Sequence, residues 1–251
     1  MQQLRPLDAP EYLRRRVEAA TDKASSTRRE LYADKRVAPS ILSADFSRLG
    51  AQIEEVMAAG ARIIHVDVMD GHFVPPITIG PLIASSISDQ VHQAGGAIDV
   101  HLMIERPDEH IEEFAKAGAD SITFHAEATP HINRTLNAIK ELGCLAGLAI
   151  NPGTPVGAVG ESIHDADVFL CMTVNPGWGG QPFIADSPDK VRRLASLVGD
   201  GTIEVDGGID PGTAGSVAGA GAGLFVAGSA VFGADDPAAA YNAIAEAAGA
   251  V

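Results

Sequence analysis

The chain has 251 residues, of which 46% are hydrophobic and 20% charged, and this composition predicts one well-packed domain and excludes a disordered or fibrous protein. Residues 1–37 hold nine Lys/Arg and six Asp/Glu, whereas the rest of the chain holds nine basic and 27 acidic side chains. Because binding to nucleic acid depends on many basic groups that neutralise phosphates, this acidic body argues against a nucleic-acid partner.

The first 36 residues are rich in charges of both signs. We expect them to form a short helical N-terminal extension outside the main domain, which would span residues 37–251. The segment lacks the apolar core of a secretory signal, and its acidic residues argue against an organelle-targeting peptide. No run elsewhere reaches the roughly 18 residues of a membrane span, so we expect no membrane partner and a cytoplasmic location.

Eight short runs rich in β-branched residues follow this segment, and helix signals lie between many of them. The predicted strands are residues 38–42, 63–69, 97–104, 121–127, 145–150, 168–174, 202–206 and 224–229. Helices are predicted after Asp45/Ser47, Pro107, Thr129/Pro130 and Ser187/Pro188, and a last helix after Gly233.

This regular alternation of strands and helices predicts a parallel sheet, because parallel neighbours need a long crossover connection. Eight such units predict an α/β protein with a single-domain (β/α)8 TIM barrel. The alternative is a doubly wound open sheet, which is disfavoured because no G-x-G-x-x-G opens the first helix. Cys144 and Cys171 stand among apolar residues, which predicts buried, reduced thiols.

The second predicted strand carries an unusual polar face. His65, Asp67 and Met69 alternate with valines, so their side chains point the same way. Successive members of this set lie about 6.6 Å apart along the strand. In a barrel of this kind, functional residues lie at the carboxyl ends of the strands. His101 on the third strand and Asp206 on the seventh occupy corresponding ends.

Two imidazoles and two carboxylates suit Zn²⁺, Fe²⁺, Mn²⁺ or Co²⁺ better than Ca²⁺ or Mg²⁺, which prefer oxygen ligands. Any one of the four could be a hydrogen-bonded core group. Four such residues at matching depth on three strands instead predict a metal site. The remaining histidines are interpreted as structural: His72, His92, His110, His125, His131 and His164. Of these, His125 lies in a predicted strand but has no recognisable carboxylate partner.

Three methionines, Met69, Met103 and Met172, share the faces of these ligands. A methionine in a barrel is usually a space-filling residue. Three around one metal site predict an apolar lining that packs a reactive centre without offering a proton.

Glycines cluster in the loops after the last three strands. Backbone N–H groups in such loops can close around an anion, and the loops after strands seven and eight form a common phosphate site in barrels. One such loop could be a simple turn, whereas three in adjacent positions predict a phosphate-binding site. Its residues would be Gly177, Gly179, Gly180, Gly207, Gly208, Gly228 and Ser229.

Six motifs, in order along residues 37 to 247, resemble the ribulose-phosphate 3-epimerase family: PSILSADF, HVDVMDGHFVPPITIG, DVHLMIERP, MTVNPGWGGQPF, IEVDGGI and VAGSAVFG. By that resemblance, His65, Asp67, His101 and Asp206 are the metal ligands, and Asp67 and Asp206 are also the acid/base pair. Ser40 and His101 would contact the substrate, with the three methionines, Trp178 and the glycine loops. Pro76 and Trp178 depart from residues common in the family.

The resemblance implies a metal-dependent epimerase that interconverts D-ribulose 5-phosphate and D-xylulose 5-phosphate. Two carboxylates would move a proton from one face of the substrate to the other through a cis-enediolate, with one divalent transition ion as Lewis acid. The phosphorylated ketose would be the partner, and we expect a homo-oligomer.

Three alternatives remain at this point. The first is a 3-epimerase of a hexulose 6-phosphate such as D-allulose 6-phosphate. The second, a decarboxylase or aldolase on a similar barrel, is disfavoured because the D-x-K-x-x-D motif is absent. The third, a binding protein without catalysis, is disfavoured by the full set of four candidate ligands.

Overall fold

The computed structural model describes residues 29–251, and of the predicted extension only residues 29–36 fall in this range. Residues 29–33 are helical, and the first strand begins at Arg36. The strands are β1 (Arg36–Pro39), β2 (Ile63–Met69), β3 (Ala97–Met103), β4 (Ser121–His125), β5 (Leu145–Ile150), β6 (Val168–Met172), β7 (Thr202–Asp206) and β8 (Leu224–Ala227).

The eight strands are parallel and follow the order β1-β8-β7-β6-β5-β4-β3-β2. β1 pairs with β8 through Arg36 opposite Leu224, and a parallel bridge between Ser40 and His65 links β1 to β2. The first and last strands of an open doubly wound sheet would not meet in this way. The predicted (β/α)8 barrel is therefore confirmed, and the open sheet is wrong.

Helices cover the outside of the barrel. They are α1 (Leu49–Ala58), α2 (Pro81–Gln93), α3 (Ile111–Lys116), α4 (Ile132–Glu141), α5 (Ser187–Val198), α6 (Ala214–Ala218), α7 (Ser229–Phe232) and α8 (Pro237–Ala248). Short 3₁₀ helices span Ile41–Ser43, Phe46–Arg48, Pro107–Glu109, Ala126–Ala128 and Val156–Ser162. The connection between β5 and β6 contains the last of these in place of an α-helix.

The ends of several predicted strands were misplaced, because loop residues with strand-like composition turn away from the sheet. Ser40 leaves β1 because its hydroxyl accepts a hydrogen bond from Leu42 N, which starts a 3₁₀ turn. Likewise, Ala126–Ala128 is a 3₁₀ turn, and Ser229 opens helix α7. These early endings leave loop residues at the carboxyl rim of the barrel.

The strands are buried on both faces, as expected for a parallel sheet covered by helices. Alternate residues such as Ile64 and Val66 pack outward against the helices. Inside the barrel, small and aliphatic side chains fill the amino-terminal end, where Tyr32 also packs. The inward polar residues lie beyond this apolar floor, toward the carboxyl ends of the strands.

Cys144 and Cys171 are both buried thiols, as predicted, and Cys144 Sγ donates to the carbonyl of Ala119. Within residues 29–251, no helix is both long enough and apolar enough to span a membrane.

Candidate active site at the carboxyl end of the barrel

The barrel brings the four predicted ligands together. Their ligand atoms all lie within 4.8 Å of one another. Asp67 Oδ1 lies 3.3 Å from His65 Nε2 and 3.1 Å from His101 Nδ1, and Asp206 Oδ2 lies 3.5 Å from the same nitrogen of His101. The side chains converge because strand residues two apart face the same side, and β2 and β3 pair with Asp67 opposite His101.

The donor set fits a divalent transition ion. Two imidazole nitrogens and two carboxylates match the ligands that Zn²⁺ and similar ions prefer. His65 Nε2 is buried and lies 3.3 Å from Asp67 Oδ1, a long and weak contact. A buried nitrogen lone pair of this kind is costly unless a partner satisfies it. The cluster is therefore able to hold a metal ion.

The two carboxylates have opposite protonation tendencies. Burial opposes ionisation of Asp67, but the charge of His65 and hydrogen bonds from His101 and His65 outweigh it and hold the pKa of Asp67 well below its usual range. Burial, together with the nearby charge of Asp67, raises the pKa of Asp206. Neighbouring carboxyl groups whose pKa values diverge are typical of acid/base sites.

The two histidines favour the charged form in the metal-free protein. Burial opposes protonation of His101, but hydrogen bonds to Asp206 and Asp67 outweigh it and raise its pKa to about 9. Burial also opposes protonation of His65, and the charge of Asp67 with hydrogen bonds to Asp67, Asp99 and Glu204 raises its pKa. A metal ion must therefore displace protons from both imidazoles.

Asp99 and Glu204 form a polar layer below the cluster that the sequence analysis missed. His65 Nδ1 donates to Asp99 Oδ2 over 2.7 Å and lies 3.3 Å from Glu204 Oε1. Burial and the charge of Asp99 raise the pKa of Glu204 to about 8. Both residues lie two positions before a predicted ligand, His101 or Asp206, so the two-residue period of the strand was a signal for them.

His125 contacts the candidate site through His101, and the expectation that it has no carboxylate partner was wrong. Its Nε2 lies 2.8 Å from His101 Nε2, and its Nδ1 lies 3.4 Å from Glu127 Oε2. The carboxylate partner is Glu127, which was predicted to belong to the strand. The 3₁₀ turn after β4 instead brings its carboxylate back toward the ring.

A cleft of about 520 Å³, including space open to solvent, opens above the carboxylates. Asp67 and Asp206 line it, whereas His65 and His101 have no exposed surface and lie behind them. The predicted contact between His101 and substrate therefore has no support in this geometry. The other predicted substrate residues all line the cleft: Ser40, Met69, Met103, Met172, Gly177, Trp178, Gly179, Gly180, Gly207, Gly208, Gly228 and Ser229.

Ser40 and the methionines surround the carboxylates. The Ser40 hydroxyl donates to Asp67 Oδ2 over 2.5 Å. Met69, Met103 and Met172 are nearly fully buried around the cleft. Trp178, by contrast, is 59% exposed at the rim. Ser43 and Gln181 also line the cleft and were not predicted.

The glycine loops at the far side of the cleft are packed so closely that two positions require glycine. Gly207 has φ +114°, and a Cβ there would lie 2.3 Å from Val174 Cγ2. Gly208 has φ +67°, and a Cβ there would lie 2.8 Å from the Phe183 backbone. The Gly207 backbone therefore packs directly against the Val174 side chain and the Gly208 backbone against that of Phe183, a close approach that a side chain at either position would prevent.

The barrel and the cluster at its carboxyl end together define a (β/α)8-barrel enzyme whose site is able to hold a metal ion. Comparison with known proteins narrows this class. A family model described as the ribulose-phosphate 3 epimerase family matches residues 36–232. A ribulose-phosphate 3-epimerase of Bacillus subtilis is 54% identical over 206 residues, covering 80% of this chain and 94% of the relative. That of Rhodobacter capsulatus is 52% identical, covering 78% and 86%.

The chain therefore belongs to the ribulose-phosphate 3-epimerase family and is an epimerase, an enzyme of the isomerase class. Among solved structures, KGPDC from Streptococcus mutans superposes with a TM-score of 0.66 at 14% identity, covering 86% of this chain and 97% of the other. At this identity the likeness supports the barrel fold alone.

Proposed function

We propose that this epimerase interconverts D-ribulose 5-phosphate and D-xylulose 5-phosphate, with Asp67 and Asp206 as the acid/base pair. The observation that carries the proposal is the pair of carboxylates in one cleft whose pKa values move in opposite directions. The names of the relatives, which are identical to this chain at about half of the aligned positions, support the substrate.

The two carboxylates would act in turn. The ionised Asp67 removes the proton from the carbinol carbon beside the ketone, and the electron pair passes into a planar cis-enediolate. Protonated Asp206 then returns a proton to the opposite face of the same carbon, which inverts it. Asp67 ends protonated and Asp206 ionised, which is the starting state for the reverse reaction.

A divalent transition ion, Zn²⁺, Fe²⁺, Mn²⁺ or Co²⁺, would be held by His65, Asp67, His101 and Asp206. When bound, such an ion supplies positive charge where negative charge develops on the substrate oxygens. Ser40 keeps Asp67 oriented through its short hydrogen bond. The buried methionines exclude water and offer no proton that could reach the enediolate from the wrong face.

The glycine loops after β6, β7 and β8 would hold the substrate phosphate. The chain can bind an anion there despite its net charge of −15, because backbone N–H groups rather than lysines carry the site. Binding energy gained at the phosphate helps to hold the reacting carbon between the carboxylates.

The alternative substrate is a hexulose 6-phosphate such as D-allulose 6-phosphate, which needs the same chemistry at the same carbon. The relatives named for ribulose phosphate favour the five-carbon sugar. Homo-oligomer formation, a cytoplasmic location and the domain boundary at residue 37 stay predictions.

One preparation tests the proposal. Interconversion of the two pentulose phosphates is measured before and after exhaustive chelation, with metal content determined in parallel. We expect high activity that falls on chelation and returns with a divalent transition ion. Fully metallated protein that leaves both pentulose phosphates unchanged but epimerises a six-carbon ketose phosphate would overturn the assigned substrate. Activity that survives complete metal removal would overturn the metal assignment.

A further inference from the structure

His101 uses its two ring nitrogens in two directions. Nδ1 faces the carboxylates, 3.1 Å from Asp67 Oδ1 and 3.5 Å from Asp206 Oδ2. Nε2 points away from them and lies 2.8 Å from His125 Nε2. The two imidazoles are fully buried and stacked, with ring centroids 5.0 Å apart. Water therefore cannot replace either contact.

This geometry fixes where the protons lie once a cation is bound. An imidazole that coordinates through Nδ1 carries its single proton on Nε2. His101 Nε2 must then donate to His125 Nε2, because two nitrogens 2.8 Å apart share one proton. Since His125 accepts at Nε2, its own proton lies on Nδ1, which faces Glu127 Oε2 at 3.4 Å.

Glu127 is held in place to receive that proton. Its Oε1 accepts from Asn151 N over 2.9 Å and from the Thr154 hydroxyl, so the loop after β5 fixes one carboxylate oxygen. The other oxygen, Oε2, faces His125. The 3.4 Å contact is longer than a hydrogen bond, and His125 Nδ1 has no hydrogen-bond partner among the described residues, so Glu127 Oε2 is the acceptor that faces it. Burial opposes ionisation of Glu127, but its contact with His125 and hydrogen bonds from Thr154 and Asn151 outweigh it and lower its pKa to about 2.

We propose that Glu127 is a positioning residue that acts through His125 to keep the Nδ1 lone pair of His101 directed at the metal ion. The inference rests on the metal site of the proposed function and deepens it. Glu127 lies outside the four ligands and does not line the cleft. The role it performs for His101 corresponds to that of Asp99 for His65, but over one additional imidazole.

Replacing Glu127 by glutamine separates this role from simple packing. In Glu127→Gln the carbonyl oxygen can still accept from Asn151 N and Thr154, and the amide NH₂ then faces His125 Nδ1–H. Two donors repel, so the His125 proton is driven to Nε2, where it opposes the His101 proton. His101 then favours the tautomer with its proton on Nδ1, which cannot bind metal.

Thr154→Val is the matched control, because it removes a hydrogen bond to the same carboxylate but leaves Oε2 facing His125. The affinity for Zn²⁺ is measured by competition with a chromophoric chelator, and melting of the metal-free variants reports folding. We expect Glu127→Gln to bind Zn²⁺ roughly 10- to 100-fold more weakly than wild type, and Thr154→Val to bind within about threefold of it, with both metal-free variants folded.

Equal Zn²⁺ affinity of Glu127→Gln and Thr154→Val would overturn the positioning role alone. A wild-type protein that binds no divalent transition ion would overturn the metal site as well. Long-range ¹H–¹⁵N spectra of ¹⁵N-histidine-labelled, Zn²⁺-loaded wild type give a second test that needs no variant. We expect His101 to be protonated at Nε2 and His125 at Nδ1, and protonation of His125 at Nε2 would contradict the proposal.

Discussion

Asp67 and Asp206 carry the same carboxyl group and line the same cleft, yet their neighbours push their pKa values in opposite directions. Asp67 receives hydrogen bonds from two imidazoles and from Ser40, which favour its ionised form. For Asp206, burial and the charge of Asp67 disfavour the ionised form more than the hydrogen bond with His101 favours it. At the scale of the residue, contacts decide the role that each carboxylate takes.

Replacing either carboxylate by its amide should remove proton transfer while keeping the shape of the side chain. We expect Asp67→Asn and Asp206→Asn each to lower kcat by roughly 10²- to 10⁴-fold, because a positioned acid or base contributes about that much. Steady-state assays check this, with circular dichroism to confirm folding. The control is Asp189→Asn on the exposed surface of α5, which should keep wild-type activity. Full activity of Asp206→Asn would contradict the acid/base assignment.

Gly207→Ala tests the close packing of the glycine loops and their proposed role in phosphate binding. The added methyl group meets Val174 Cγ2 at 2.3 Å, and φ of +114° is strained for any residue with a Cβ. We expect the free energy of unfolding to fall by about 1–3 kcal/mol, and KM to rise more than kcat falls.

Gly153→Ala is the control for this substitution. A Cβ at Gly153 has no atom within 4 Å, so urea unfolding should give wild-type stability. If Gly207→Ala behaved in the same way, the loop would be more adaptable than its geometry indicates.

At the scale of the element, the strands end where a side chain or a turn satisfies the backbone. Ser40 and Asp45 accept hydrogen bonds from backbone N–H groups and start successive 3₁₀ turns after β1. Pro81 occupies the first turn of α2, and its missing N–H costs nothing there. These local contacts set the lengths of the loops that form the cleft.

The N-terminal cap of α8 provides a test of one such local contact. Asp236 Oδ1 accepts from Ala239 N over 2.9 Å and caps α8. We expect Asp236→Ala to cost about 1 kcal/mol of unfolding free energy, with activity unchanged, as measured by thermal denaturation and the epimerase assay. Asp235→Ala removes the same charge from the same helix terminus, but no capping hydrogen bond from Asp235 is present among the described residues. A loss of stability as large for Asp235→Ala would show that charge rather than capping matters.

At the scale of the whole molecule, the barrel gathers ligands from strands that are far apart in the sequence. β2 and β3 are neighbours, but β7 lies across the barrel from them. A metal ion bound by His65, His101 and Asp206 would therefore tie distant strands together. An unfolded chain offers no such site, so binding stabilises the folded state by mass action.

We expect Zn²⁺ at 100 times its Kd to stabilise the protein by about 2.7 kcal/mol and to raise its melting temperature. Differential scanning calorimetry of the chelated and reloaded protein measures the shift. His101→Ala should abolish the response to Zn²⁺ because it removes one of the four ligands. An equal rise in that variant would indicate that the ion binds elsewhere.

Metal binding should also depend on pH. The pKa of His101 is raised from 6.5 to about 9, so its charged form stabilises the metal-free fold fully below pH 6.5, and this contribution is lost as pH rises through about 9. Because the metal ion must displace that proton, we expect the apparent affinity for Mn²⁺ to rise at least tenfold per pH unit between 7 and 8. Titrations at several pH values test this, and a flat profile would contradict the raised pKa.

The sequence by itself predicted the barrel, the four residues of the His/Asp cluster and most of the cleft lining. Alternating polarity along HVDVMDG defines which side chains share a face, and eight strand and helix units in series favour closure into a barrel. Glycine clusters after the last three strands identified the loops that line the cleft, because the need for glycine depends on local backbone conformation. Each of these signals is local, so one sequence is enough to detect it.

Only the tertiary structure decided which polar residues support the ligands. Asp99, Glu204 and His125 each lie on a different strand from the residue that they contact, and Glu127 lies in a turn, so these contacts depend on strand register and loop conformation. The structure also placed His101 behind the carboxylates instead of in the cleft. A sequence pattern predicts on which face of a strand a side chain lies. The depth and the neighbours of that side chain depend on how the eight strands close into the barrel.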